Sequence, residues 1–360
     1  MARPGKMGWC RRLMLAGLAA LAWNVPDAHA QIGLFRLRPD CGGPCTSCPS
    51  DVPPSITQPP KEMLPEPAPG QVTTAALDDT SVSLRSNVGY IYSAIPRNTV
   101  QVRYDAAYDN NRPDRAEFFY AKCGCFRVGG ADPGAGGPPL SERRVDYQDL
   151  TTYLEFAPWS RFSAFIEAPY RWLNPQDNAN VSGFGDMKAG FKAAFISNAQ
   201  QVMTLQFRTY IPTGRADQGL GTNHVSVEPS LLYFQRLTPR LTFESQLGDW
   251  VGLGGSDFNG NVLFYGAGLG YNILDGQNLW ITPVTELVGW TVVRGQESLA
   301  NDGAVSAVGD TIVNGKMGVR IGLNRPGLLG NSSLYMGYGR ALTGEVWYKD
   351  IFRIEWRTVF

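Results

Sequence analysis

What the sequence lacks narrows it first. No apolar run is long enough for a spanning helix: the longest, from Leu13 to Trp23, falls short of the ~18 residues that such a helix needs. Any membrane crossing must then be made by strands, because only helices and closed barrels satisfy backbone polar groups in lipid. Histidine is nearly absent, with two residues in 360. The one beyond the leader, His224, stands in the run Thr222-Asn223-His224-Val225-Ser226 with no third partner at a known spacing, which argues against a lipase or protease. No glycine-rich phosphate loop, dinucleotide fingerprint or zinc pattern occurs in the strand-to-helix context that each requires, so no cofactor and no enzyme activity are expected. A charge excess of one sign is missing too, since Lys+Arg and Asp+Glu both number 32. Removing a leader that holds Arg3, Lys6, Arg11, Arg12 and Asp27 leaves the chain slightly acidic, which argues against nucleic acid as a partner.

Residues 1–30 read as a secretory signal. Their basic start, short apolar core and the small-x-small site Ala28-His29-Ala30 predict a mature chain beginning at Gln31. Cys10 precedes the apolar core and so is not placed as a lipoprotein cysteine. Residues 31–80 are rich in proline and glycine and read as an extended periplasmic linker. They hold Cys41, Cys45 and Cys48, a spacing that superficially matches iron–sulfur ligation; in an exported chain disulfides or free thiols are the stronger expectation. Cys123 and Cys125 bridge each other, bridge the first cluster, or stay free. With five cysteines in the mature chain, at least one is unpaired or bonds another chain.

Forty-one glycines, fifteen tyrosines and nine tryptophans, with no apolar helical period in the second half, favour strands joined by hairpins. The clearest strand is the last. From Tyr348 through Phe352, Ile354 and Trp356 to Phe360 every second side chain is apolar or aromatic except Asp350 and Thr358, while Lys349, Arg353, Glu355 and Arg357 fill the other face. That period of two is a strand. Ending on an aromatic residue, it resembles the assembly signal of bacterial outer-membrane barrels, in which Phe352, Ile354, Trp356 and Phe360 would be presented to the barrel-assembly machinery and to outer-membrane lipid.

Similar alternation predicts strands over residues 98–110, 143–157, 160–173, 182–197, 200–214, 224–237, 239–253, 259–274, 277–295, 309–324 and 332–344. With the terminal strand that is about twelve, an even count as bacterial barrels require. Residues 81–92 form a weaker candidate, expected outside the barrel. The connections sort by length. Short links at Pro158-Trp159, Asn198-Ala199, Thr238 and Asp275-Gly276 alternate with longer ones at residues 111–142, 174–181, 215–223, 254–258 and 296–308, the pattern of periplasmic turns and outer loops. Two connections fit it poorly: residues 325–331 are long for the periplasmic side, and the link near Glu345 is short for the outside. The expectation is an all-β, antiparallel transmembrane barrel over residues 81–360 in the outer membrane.

The strand parities nominate Arg161, Glu167, Arg208, Glu228, Glu244, Arg353, Glu355 and Arg357 as lumen-facing. Charges of both signs there either pair to fill a narrow barrel or line a path for solute. The middle of the chain carries Gly183-Phe184-Gly185-Asp186, Tyr210-Ile211-Pro212-Thr213-Gly214, Gly219-Leu220-Gly221-Thr222 and Glu228-Pro229-Ser230-Leu231-Leu232-Tyr233. This stretch, residues 183–248, resembles the outer-membrane family named for the meta-pathway of phenol degradation. The resemblance implies a channel or transporter for small, often hydrophobic molecules and brings no catalytic residues with it. The competing expectation is a non-conducting barrel that presents its Cys- and Pro-rich arm to a partner.

Overall fold

The structure is a computed structural model that describes residues 84–110, 125, 136–298, 303–324, 331–344 and 348–360. The expected leader and linker, the first cysteine cluster, Cys123 and most of the long loop 111–142 lie outside the described residues. Cys125 is disulfide-bonded.

In chain order the strands are β1 (Thr99–Asn110), β2 (Val145–Trp159), β3 (Phe162–Pro175), β4 (Val181–Phe184), β5 (Met187–Ser197), β6 (Gln201–Ile211), β7 (Val225–Arg236), β8 (Leu241–Leu253), β9 (Asn261–Tyr271), β10 (Leu274–Asp275), β11 (Leu279–Arg294), β12 (Gln296–Ser298), β13 (Ala304–Ser306), β14 (Thr311–Leu323), β15 (Ser332–Ala341) and β16 (Asp350–Val359). Neighbouring wall strands pair antiparallel from β1 through β9, then β11, β14, β15 and β16, and β16 pairs back onto β1 with Ile354 opposite Tyr104. The ring is closed at twelve wall strands, with β4 and β5 two parts of one, both lying on β3. Closure leaves no open edge around the ring, so the wall strands pair on both sides, β4 alone pairing only with β3.

Around this ring the outward set is apolar. Leu154, Leu205, Leu247, Leu269, Leu287, Met317 and Ile354 are all among the exposed large hydrophobics. No soluble monomer shows water a continuous apolar belt of this extent, and in lipid the same belt costs nothing. The wall is therefore that of an outer-membrane-type barrel. The connections at one end are short, at Ser160-Arg161, 198–200 and 237–240. At the other end stand residues 212–224, 254–260 and the segment 295–310, which carries the small β12–β13 hairpin.

Three expectations change. Residues 84–97, expected in part as a weak outer strand, hold no strand and run inside the barrel, because their backbone is bonded by inward-pointing side chains rather than by a neighbouring strand. Arg161 is exposed in the β2–β3 turn and does not face the lumen; β2 continues to Trp159 past an irregularity between Phe156 and Trp159, which moves the turn by two residues. Tyr348, expected on the lipid face, precedes β16 and is buried beside Lys316 and Trp290 inside the barrel.

Candidate functional site

The inner face of the wall is charged and buried. Glu167, Arg208, Glu228, Glu244, Arg353 and Glu355 lie inside, each 9% exposed or less, with Arg357 partly buried among them. The same inward parity brings in residues that pattern reading did not single out: Arg103, Asp105, Glu155, Lys188, Lys192, Glu286, Lys316 and Arg320. Each sits two or four places from an inward neighbour in its strand, so the alternation was present and only the choice among polar residues was missing.

These groups are paired. Arg353 makes a two-pronged bridge to Asp105 on the adjoining strand, at 2.7 and 2.8 Å. Glu167 receives Lys188 at 3.0 Å, Arg208 at 2.8 Å and Arg103 at 3.3 Å. Lys192 holds Glu155 at 3.0 Å, and Glu355 is shared by Arg320 at 2.8 Å and Arg357 at 2.9 Å. Charges buried this deeply persist only where partners replace the lost water.

Through the middle of this array passes the strap, residues 84–97. Its ends meet, because the Arg97 guanidinium donates to the Leu84 carbonyl, so the strap enters and leaves by the short-turn end and then continues into β1. Two carboxylates grip its donors. Glu244 accepts from the Ser86 hydroxyl and from the backbone N–H of Asn87 and Val88, at 2.7, 2.8 and 3.4 Å. Glu286 accepts from the N–H of Gly89, Tyr90 and Ile91, at 3.0, 2.9 and 3.0 Å. Gln246 accepts from Tyr92 N–H at 2.8 Å. Arginines grip its carbonyls: Arg320 donates to Asn87 and Val88, at 3.0 and 2.7 Å, and Arg353 to Gly89. A backbone with no ladder of its own would otherwise be left unsatisfied in a place with little water.

Packing matches the polar contacts. On the inner face of β9 the run Gly266-Ala267-Gly268-Leu269-Gly270 puts three glycines inward. A methyl at Gly268 would stand 2.9 Å from Val88 Cγ1, and one at Gly266 2.8 Å from Ile91 Cγ2. The strap lies in that groove. At its turn the Tyr90 ring is flanked by Lys316 Nζ at 4.1 Å and Arg353 Cζ at 4.3 Å, while Arg208 Cζ lies 4.2 Å from the Tyr92 ring. Each is a cation on an aromatic face, a contact that strengthens where water is excluded.

The strap leaves space on either side. Towards the long-loop end a cavity of about 100 Å³ is lined by Tyr147, Tyr210, Trp250, Phe264, Trp290 and Tyr348 among others. Towards the short-turn end lies a cavity of about 270 Å³ between strap and wall.

At the long-loop rim the glycine motifs converge. Asp186 accepts from the N–H of Gly214 at 2.7 Å and of Thr222 at 3.0 Å, tying down the loop after β6 rather than its own turn. Leu220, buried at 1%, packs where a side chain at Gly183 would be. His224 lies beside this loop with Nδ1 3.1 Å from the Thr222 carbonyl oxygen.

Comparison with known proteins gives the following. No curated protein matches this chain. Among solved structures it is similar to the COG4313 outer membrane channel from Pseudomonas putida F1, at 14% identity and a TM-score of 0.47, over 77% of this chain and 100% of that one. It is similar to the NanC porin at 11% identity and a TM-score of 0.41, over 72% of this chain and 99% of that one. It is also similar to LpxR from Salmonella typhimurium at 9% identity and a TM-score of 0.42, over 73% and 100%. Residues 145–248, which contain the motifs that converge on Asp186, match the family described as "Putative MetA-pathway of phenol degradation".

Proposed function

We propose that this chain is an outer-membrane channel for small molecules, not an enzyme, and that residues 84–97 are its gate. The observation that carries the reading is how the lumen is closed. Among the described residues the obstruction is one strap without regular secondary structure, held by hydrogen bonds, cation contacts and apolar packing and lying in a glycine groove, while the wall around it is complete without it. The hydrogen-bonding groups that grip the strap are charged or polar side chains able to be solvated once it leaves, while Val88, Tyr90, Ile91, Ala94 and Ile95 pack against apolar wall residues such as Phe264, Val284, Val288, Leu232 and Phe234, so opening also costs the exposure of that apolar surface. Aromatic side chains on the long-loop side of the strap support passage of molecules with an apolar body.

Planar-bilayer recording tests this. The full chain should show rare openings, and a chain lacking residues 84–97 should show stable discrete steps. A strap-less barrel that folds and stays silent would overturn the channel reading. That silent result is the one a non-conducting anchor presenting the Cys- and Pro-rich arm to a partner would give.

A further inference from the structure

The cavity of about 270 Å³ at the short-turn end is lined by more cations than carboxylates, an excess that Asp105, Glu228 and Asp275 just outside it answer in part. Seven cationic side chains line it against three carboxylates. Four of the cations are matched by Glu155, Glu167 and, just beyond the cavity, Asp105. Three arginines remain. Arg85 bridges Asp275 at 3.5 Å at the partly exposed edge. Arg357 shares Glu355 with Arg320 and donates from Nη1 to the Ser86 carbonyl at 3.4 Å, while its buried Nε has no hydrogen-bond partner among the described residues. Arg97 meets no carboxylate within ion-pair distance among the described residues, its guanidinium being turned to the Leu84 carbonyl. Burial, together with the nearby Arg85 and Arg357, pushes the Arg97 guanidinium down to about 10 against the opposing pull of Glu155, which accepts from the Arg97 backbone N–H at 3.3 Å. A negative charge placed beside Arg97 would offset the burial of its guanidinium.

The rest of the lining gives the shape of the anion. Tyr92, Tyr153, Ile95 and Trp280 border the same space, and Tyr153 stacks on Phe165 at 5.5 Å. A small inorganic ion would satisfy the arginines and leave those surfaces against water. A planar carboxylate suits a guanidinium fork, and an apolar or aromatic body suits the tyrosines.

We infer that this cavity binds a small organic monocarboxylate with a ring-sized apolar body, its carboxylate between Arg97 and Arg357. As the substrate class of the channel this rests on the reading above; binding itself is a property of the closed, strap-bound protein and is measured there.

The test is calorimetric titration of the full chain, folded in detergent, with benzoate as the probe. Benzyl alcohol serves as its neutral counterpart and inorganic phosphate as a plain anion. Saturable binding of one benzoate is expected, with benzyl alcohol and phosphate each at least about tenfold weaker. Arg97→Gln and Arg357→Gln should each weaken benzoate about tenfold, and Arg97→Lys should restore part of the loss. Heat-modifiable migration of each variant shows that its barrel has formed. Equal affinity for benzyl alcohol would make the cavity merely apolar, equal affinity for phosphate would make it an unspecific anion hole, and undiminished binding by folded Arg97→Gln and Arg357→Gln would place the ligand elsewhere. Each of these overturns the proposal. Bilayer recording of the strap-less chain reports separately on the channel: benzoate binding with a silent barrel leaves the site standing and removes the channel, and conductance without benzoate binding does the reverse.

Discussion

The wall and the strap solve the same problem in opposite ways. Both are extended chain in a place with little water, and both must satisfy every N–H and C=O. The wall does so by backbone pairing around a closed ring, so its side chains are free to sort by parity, apolar to lipid and charged to the lumen. The strap has no ladder and borrows Glu244, Glu286, Gln246, Arg320 and Arg353 from the wall. Removing Glu244, Glu286 or Arg320 therefore frees several groups of the strap at once, while Gln246 and Arg353 hold one strap group each.

The largest effect expected from breaking this contrast is in the wall. Ile354 is 50% exposed towards lipid, and Ile354→Arg should cost about 2–4 kcal/mol of folding free energy if it sits near the midplane, read as folded barrel recovered in membranes and as urea stability. Glu286→Ala comes next. It removes the acceptor of three strap N–H groups, worth about 1–3 kcal/mol of strap docking. Trypsin should then cut at Arg85 or Arg97 while the wall keeps its heat-modifiable migration. Loss of the wall together with the strap would show that the two are not separable. Gly268→Val acts through packing: its side chain needs the space of Val88 and crowds Glu286 Cγ, 3.0 Å from where its Cβ would stand, and should weaken docking by about 1–2 kcal/mol. Its conductance should rise towards that of the strap-less chain, and an unchanged record would mean that the groove does not hold the strap. The smallest expected change concerns Phe360, which is 72% exposed. Its deletion should alter refolded stability by no more than about 0.5 kcal/mol while slowing insertion in cells, measured by pulse labelling; equal loss in both would make it a packing residue instead of part of an assembly signal.

The wall was legible in the sequence and the strap was not. In residues 98–110 and in the terminal strand, side chains alternate every second position, and each such run became a wall strand with the predicted face outward. Parity slipped where the backbone departs from a regular pleat: at the irregular end of β2, which carried Arg161 into a turn, and before β16, which turned Tyr348 inward. Residues 84–97 carry no period, because an extended segment gripped on all sides has no solvent face. The run Gly266-Ala267-Gly268-Leu269-Gly270 was a visible signal of a backbone approach to that strand, but nothing in it names which segment approaches.

The sequence by itself determined the strand number, the two faces and the length-sorted connections, since these follow from a period of two and from turn chemistry, both local in the chain. Only the tertiary structure decided what the lumen holds. Glu286 and Tyr90 are 196 residues apart, and Arg320 and Val88 are 232 apart. A carboxylate on an inward face reads the same whether it meets a lysine, water or a row of backbone N–H groups, and the choice among them is made when ring closure brings distant segments into one narrow space.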